Sequence, residues 1–277
     1  MTFLERLLQA SRDNDSLLCV GLDIDLTRVP VSILEKDDPI FSFNRAIIDA
    51  TADLVCAYKP NLAFYEAMGL EGIEALVRTV RYIPANIPII GDAKRGDIGH
   101  TSAAYARSAF EFFGFDAITV SPYLGSDSVQ PFLEREDKAS FILCKTSNPG
   151  GGDFQDLMVG DGESDRMPLY QKVAHKTNEW NVKRNCGLVV GATYPEELRR
   201  VREICPDLPV LIPGVGAQAG DLGSAVQSGT NASGDLAIIN SSRGVLYASQ
   251  GDDFAGVSRQ VAEATRVDIN RYRPGRV

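Results

Sequence analysis

The chain has 277 residues, of which 44% are hydrophobic, and its formal net charge at pH 7 is −9. This length suits one α/β barrel, which typically needs about 250 residues. The acidic balance argues against nucleic-acid binding, which depends on excess Lys and Arg, and against docking on anionic membranes. Positive charge for an anionic ligand would therefore have to be local.

Eight short apolar runs alternate with longer segments of helical periodicity. The runs are unbroken, which is typical of parallel strands buried on both faces. The predicted strands are 16–24, 54–59, 87–94, 116–121, 140–146, 187–192, 209–213 and 236–240. Predicted helices between them include 43–52, 101–113, 169–180, 195–204 and 254–269. This order predicts an α/β fold, a single (β/α)8 TIM barrel over residues 1–277; a doubly wound open sheet is the alternative, but it usually has fewer strands.

The first ten residues have the amphipathic pattern of a helix with charges inside it, which we expect to cap the barrel. This pattern is unlike a signal peptide, and no apolar run approaches the length of a membrane span. The five cysteines are scattered without CxxC spacing, as expected for buried thiols in a reducing cytoplasm. Since the chain has only two histidines, His100 and His175, no metal-ligand cluster is predicted.

The segment 148–168 interrupts the alternation after the fifth predicted strand, and it is rich in glycine and acidic residues. Loops of this length in compact domains are usually either functional or disordered. A flexible surface loop is one interpretation. We favour the other, an active-site lid over the mouth of the barrel.

Charged side chains stand at the carboxyl ends of the predicted strands, where barrel enzymes carry their chemistry. Asp92 and Lys94 end the third strand, and they share a face because side chains alternate along a strand. Lys59 ends the second strand, and Asp97 follows the third, from where it could reach Lys94 or another subunit. One interpretation of these four residues is a structural ion-pair network, because buried charges are costly unless they are paired. Two lysines and two aspartates on adjacent strand ends favour a catalytic site.

The ends of the last two predicted strands indicate a phosphate site. Gly214 and Gly216 let the backbone approach a ligand, and Gln218 follows as a side-chain donor. Ser242 and Arg243 add backbone and hydroxyl donors and a guanidinium, whose planar fork suits phosphate. A phosphate site at these two strands recurs in TIM barrels.

The segment 92–101, which contains DAKRGDI and then Thr101, resembles the DxKxxDI…T signature of the orotidine 5′-phosphate decarboxylase family. The KPNLAFYE and KTSNPG segments are similar to its longer bacterial branch, type 2. The resemblance follows the family's order from the first strand to the last, at 21–23, 59–66, 145–150, 213–218 and 241–243.

This resemblance implies a cofactor-free, metal-free cytoplasmic enzyme of de novo pyrimidine synthesis that converts orotidine 5′-monophosphate to uridine 5′-monophosphate (UMP) and carbon dioxide. It implies that Lys59, Asp92, Lys94 and Asp97 form the charged network at the reacting carbon. Asp97 would be supplied by the partner subunit, so the active form would be a homodimer.

The resemblance also implies the substrate contacts. Asp23 and Thr101 would contact the ribose, with Thr101 again from the partner subunit, and Ser147 would hydrogen-bond the pyrimidine. Gln218 and Arg243, with the backbone at Ser242, would hold the phosphate, and Pro213 would also belong to the substrate-binding site.

Two departures from the family pattern occur near the phosphate site. Ala219 stands where the family often has Gly, and a positive φ there would strain it. Ser242 stands where some members have Gly, but a backbone N–H contact would be supplied equally well by serine.

Two other functions remain open. Hexulose-phosphate synthases and related lyases share DxKxxD but use magnesium, usually with an added Glu ligand; here Pro60 follows Lys59, and no clear extra ligand is found. A phosphate-binding barrel without catalysis is the second alternative. The presence of all four charged residues argues against it.

Overall fold

A computed structural model describes residues 1–162, 165–215 and 221–275. Its strands in chain order are β1 Leu18–Gly21, β2 Ala57–Lys59, β3 Ile90–Arg95, β4 Ala117–Val120, β5 Ala139–Lys145, β6 Met158–Val159, β7 Met167–Pro168, β8 Cys186–Val190, β9 Val210–Pro213 and β10 Ala237–Ser241. The helices α1 to α7 are Phe3–Asp13, Val31–Leu34, Pro39–Thr51, Leu62–Glu66, Gly69–Tyr82, Gly99–Arg107 and Ser126–Leu133. The helices α8 to α13 are Gly152–Gln155, Leu169–Trp180, Pro195–Ile204, Leu222–Gly229, Arg243–Leu246 and Phe254–Tyr272.

Eight of these strands form one parallel sheet in the order β2-β1-β10-β9-β8-β5-β4-β3. The two ends of this order meet, because Tyr58 bridges to Ile89 and Asn61 bridges to Asp92. The Asp92 N–H also donates to the Pro60 carbonyl at 2.9 Å. The sheet is therefore a nearly closed barrel, and the predicted (β/α)8 architecture is confirmed in preference to an open sheet.

The N-terminal helix α1 closes the amino-terminal end of the barrel. Its apolar residues Phe3 and Leu7 pack in the same cluster as Phe141 and other inward-facing strand residues. The rings of Phe3 and Phe141 meet edge to face with centroids 5.6 Å apart. Thr2 and Glu5 form a capping box that starts the helix. The predicted capping helix is confirmed.

The segment 148–168 contains short regular elements in the part that the structure describes. A 3₁₀ turn at Pro149–Gly151 leads into α8, and β6 pairs antiparallel with β7. These elements are too short to leave a periodic signal in the sequence. Whether the segment closes over a ligand stays a prediction.

The remaining predictions about composition concern thiols and membrane spans. All five cysteines are free and buried, as predicted. Among the described residues, no helix has the length and apolar character needed to cross a membrane.

Candidate active site

A pocket of about 210 Å³ opens at the carboxyl ends of the barrel strands. Seven of the predicted site residues line it: Asp23, Lys59, Asp92, Ser147, Pro213, Ser242 and Arg243. Asn61 and Asn240 line it as well, although sequence reasoning did not select them. Asn240 could have been selected from the sequence, because it is the one polar residue of the predicted strand 236–240 and stands at its carboxyl end.

Asp92 is the centre of the charged network. Its Oδ2 accepts a hydrogen bond from Lys59 Nζ at 3.0 Å, and its Oδ1 accepts one from Lys94 Nζ at 2.6 Å. Burial by itself would raise the pKa of Asp92, but the charges of Lys59 and Lys94 outweigh it and hold that pKa well below its usual range. Asp92 is therefore ionised at neutral pH.

Lys59 is the buried cation of the network, with a side chain only 4% exposed. Burial would lower the pKa of this ammonium, but Asp92 and then Asp23 outweigh burial and raise the pKa above its usual value. The Asp23 Oδ1 atom lies 4.0 Å from Lys59 Nζ. This oxygen is buried and has no hydrogen-bond partner among the described residues, so it can accept one from a ligand hydroxyl.

Lys94 lies at an irregular end of β3. Its backbone φ is +49°, in the left-handed region that residues other than glycine rarely adopt. The pairing of β3 with β4 shifts register between Gly91 and Arg95, which marks a bulge. The Lys94 side chain is 51% exposed and does not line the pocket, but its ammonium is bonded to Asp92, which does.

Asp97 and Thr101 do not line the pocket of their own chain. The Asp97 carboxylate accepts the N–H of Ile98 at 2.7 Å, while its own N–H donates to Ser102 Oγ at 3.1 Å. Among the described residues, Asp97 forms no ion pair with Lys94. Thr101 lies in the first turn of α6. The predicted donation of both residues to a second subunit stays a prediction.

The predicted phosphate side of the pocket depends on a close approach of β1 to β10. A Cβ at Gly21 would lie 2.0 Å from Ser242 Oγ, so a side chain there would displace the Ser242 hydroxyl. Arg243 begins α12 at the rim, is exposed, and has no carboxylate partner among the described residues. The predicted Gln218, together with Ala219, lies outside the residues that the structure describes.

Ser147 reaches the pocket beside Gly191, the residue that follows β8. A Cβ at Gly191 would lie 2.8 Å from Ser147 Cα. The Gly191 N–H donates to the Lys145 carbonyl at 2.8 Å, which fixes the chain just before Ser147. This close contact explains why a side chain at position 191 would displace Ser147.

Lys145, which sequence reasoning left without a role, is a buried cation at the end of β5. Its side chain is 1% exposed, and its Nζ lies 2.5 Å from Asp156 Oδ1 and 4.5 Å from the ring centroid of Tyr194. Gln155 accepts the Thr146 N–H at 3.0 Å and donates to the Thr146 hydroxyl at 2.7 Å. These bonds tie α8 to the strand end that precedes Ser147.

Metal ligands are not grouped in the described part of the chain. No cluster of three or more His, Cys, Asp and Glu side chains there is arranged to hold a metal ion.

Comparison with known proteins identifies the family. Residues 16–255 match the family model described as "Orotidine 5'-phosphate decarboxylase / HUMPS family". A protein of Herpetosiphon aurantiacus named orotidine 5'-phosphate decarboxylase is 54% identical over 95% of this chain and 96% of its own length.

Two solved structures from Leishmania donovani have the same fold. One is named OMP decarboxylase; it is 43% identical, covers 99% of both chains and has a TM-score of 0.85. The other is named UMP synthase, with the same identity and TM-score, and this chain spans 57% of its length. The chain therefore belongs to the orotidine 5′-phosphate decarboxylase family, as its motifs predict.

Proposed function

We propose that this chain decarboxylates orotidine 5′-monophosphate to UMP in de novo pyrimidine synthesis, with Lys94 stabilising and then protonating the carbanion at ring carbon 6. The observation that supports it most is the Lys59–Asp92–Lys94 network, of which Lys59 and Asp92 line the same pocket as Arg243. The names of the related proteins favour this reaction over a magnesium-dependent one.

The chemistry requires a positive charge beside the reacting carbon. When the bond between carbon 6 and the carboxylate breaks, its electron pair stays in an sp² orbital that the ring delocalises poorly. Enzymes for such slow reactions supply on the order of 20 kcal/mol of transition-state stabilisation. A Lys94 ammonium already in place stabilises that charge electrostatically and then gives a proton to carbon 6.

Asp92 has two parts in this mechanism. Its hydrogen bond holds the Lys94 ammonium in position before substrate arrives. Its charge would also lie near the substrate carboxylate, and loss of carbon dioxide would relieve the repulsion between them. We give this repulsion the secondary part, because the contribution of ground-state destabilisation to catalysis is contested.

The remaining pocket residues bind the parts of the substrate that do not react. Asp23 accepts a ribose hydroxyl, and Ser147 hydrogen-bonds the pyrimidine. The phosphate takes donors from the two segments that follow β9 and β10: the Gln218 side chain, the Ser242 backbone N–H and the Arg243 guanidinium. Pro213, which has no N–H to donate, lines the pocket beside them. Phosphate binding would then drive closure of the 148–168 lid and of the 215–222 loop, of which 163–164 and 216–220 lie outside the described residues. Binding energy from the phosphate, which does not react, would in this way contribute to catalysis.

We propose a homodimer in which Asp97 and Thr101 complete the partner's site. Large apolar side chains are exposed on the loops after β3, β4 and β5, at the same end of the barrel as the pocket: Ile98, Tyr123, Leu124, Phe154 and Leu157. The rings of Tyr123 and Phe154 touch edge to face, so two of these loops form one surface. Exposed apolar surface of this kind marks an interface, and a two-fold axis would repeat the contribution in both sites.

We assign the enzyme to the cytoplasm, in line with its five free, buried cysteines. The first experiment is a spectrophotometric assay of orotidine 5′-monophosphate loss with no metal added, before and after chelation. Full activity after chelation is expected. Activity that chelation removes and magnesium restores would favour the magnesium-dependent lyases, and no activity in either condition would favour a binding protein.

A further inference from the structure

Thr119 of β4 lies directly behind the charged network without lining the pocket. Its side chain is buried, and its hydroxyl oxygen is within hydrogen-bond distance of three groups. These groups are the Ala93 N–H at 3.0 Å, the Lys94 N–H at 2.9 Å and the Asp92 Oδ1 atom at 3.0 Å.

The three contacts use the whole bonding capacity of one hydroxyl. A threonine hydroxyl has one proton to donate and two lone pairs that accept. The proton goes to Asp92, because an ionised carboxylate can only accept. The lone pairs take the two backbone N–H groups. No other arrangement of the proton satisfies all three groups.

This hydroxyl stands where the ladder between β3 and β4 is interrupted. Gly91 pairs with Ile118 and Arg95 pairs with Val120, so residues 92 to 94 stand opposite Thr119 alone. Within this bulge Lys94 has its left-handed φ of +49°, a conformation that costs free energy unless surrounding bonds hold it. The Lys94 N–H bond to Thr119 is such a bond.

We propose that Thr119 is a positioning residue for the decarboxylation, whose hydroxyl sets the β3 bulge and thereby aims the Lys94 ammonium and the Asp92 carboxylate. Thr119 acts through these two residues and does not touch the substrate. The inference rests on the proposed role of Lys94. It goes further by naming what holds that lysine in place.

The test compares Thr119→Val with Thr119→Ser and with a control, Thr177→Val. Thr177 of α9 is also buried, but its hydroxyl donates only to the Val173 carbonyl of its own helix. We expect Thr119→Val to lower kcat per folded site on the order of 100-fold, because small misplacements of catalytic groups cost about that much. The dissociation constant for UMP should stay within about threefold, since Thr119 is outside the pocket. Serine should restore kcat, and the control should keep it.

A purely structural Thr119 would instead lower stability and leave kcat per folded site unchanged. A Thr119→Val enzyme with kcat within about threefold of the parent would overturn the proposal. If that variant does not fold, Thr119→Cys replaces it, because a thiol of similar size bonds weakly; a cysteine variant as active as the serine variant would overturn the proposal equally. Lys94→Ala is assayed in parallel. If that variant kept its turnover, the proposed role of Lys94 would be wrong, whatever the result for Thr119.

Discussion

At the scale of single residues, the pocket works by placing charges before the substrate arrives. Asp92 accepts from two ammonium groups and one hydroxyl, so its orientation is set by the protein rather than by a ligand. Lys59 is buried where its charge would be costly alone, and Asp92 and Asp23 offset that cost. In the mechanism that we propose, catalysis begins from this preorganised field, and such fields are usually the largest contribution to rate enhancement.

Arg243→Ala tests the phosphate assignment at this scale. Its hydrogen bonds to a charged group would contribute about 1.5–3 kcal/mol, so affinity for UMP should fall about 10- to 150-fold. Affinity for uridine, which lacks the phosphate, should change little. Titration calorimetry measures both, with Arg200→Ala as the control, because Arg200 is an exposed partner of Glu203 on α10. Unchanged UMP affinity in the Arg243 variant would refute the assignment.

The pairing of Asp92 with Lys94 was predicted from strand alternation, and the two side chains do bond, although they do so within a bulge where the alternation is broken. The geometry that holds them could not be predicted. A β-bulge has no signature in a run such as GDAKRG, so neither the left-handed φ of Lys94 nor the role of Thr119 could be inferred. Asn240 could have been selected, since it is a polar residue in an apolar strand.

At the scale of elements, the carboxyl end of β5 contacts both the 148–168 segment and the pocket. The Lys145–Asp156 ion pair and the two Thr146–Gln155 hydrogen bonds fix α8 against this strand end. Ser147 lies between these contacts and the pocket. The elements involved are only two to four residues long, so sequence periodicity predicted a loop here rather than a helix and a hairpin.

Asp156→Ala tests whether this ion pair stabilises the segment. Removing one partner leaves the Lys145 charge buried, and Asp156 itself is half exposed, which screens part of the effect. We expect the free energy of unfolding to fall by about 1–3 kcal/mol in urea denaturation. Asp153→Ala on the same short helix is the control, because Asp153 has no ion pair among the described residues. Equal losses in the two variants would show that the ion pair contributes nothing.

At the scale of the whole molecule, the alternation of apolar runs with helical segments was enough to predict the barrel, because each buried parallel strand needs a run of apolar residues. We propose that the chain forms one domain, since its eight-stranded sheet runs from β1 to β10. The dimer could not be derived in the same way. Asp97 follows β3 but does not line the pocket of its own chain, and its place in a partner's site was implied by the family resemblance alone.

Mixing two inactive variants tests that arrangement. In a dimer of one Lys94→Ala subunit and one Asp97→Ala subunit, donation across the interface leaves one site with both residues intact. An equal mixture, dissociated and reassembled, should regain about a quarter of the parent activity, because half of the dimers are mixed and each has one good site. No recovery, with mixed dimers demonstrated by mass spectrometry, would place Asp97 in its own subunit's site.

The most direct test of the central claim is the turnover of Lys94→Ala measured together with its UMP affinity. Lys94 is half exposed, so its loss should leave the fold and UMP binding intact. Its removal takes away both the stabilising charge and the proton donor, so kcat should fall by at least about 10⁴-fold. A folded Lys94→Ala enzyme that binds UMP and turns over near the parent rate would contradict the account.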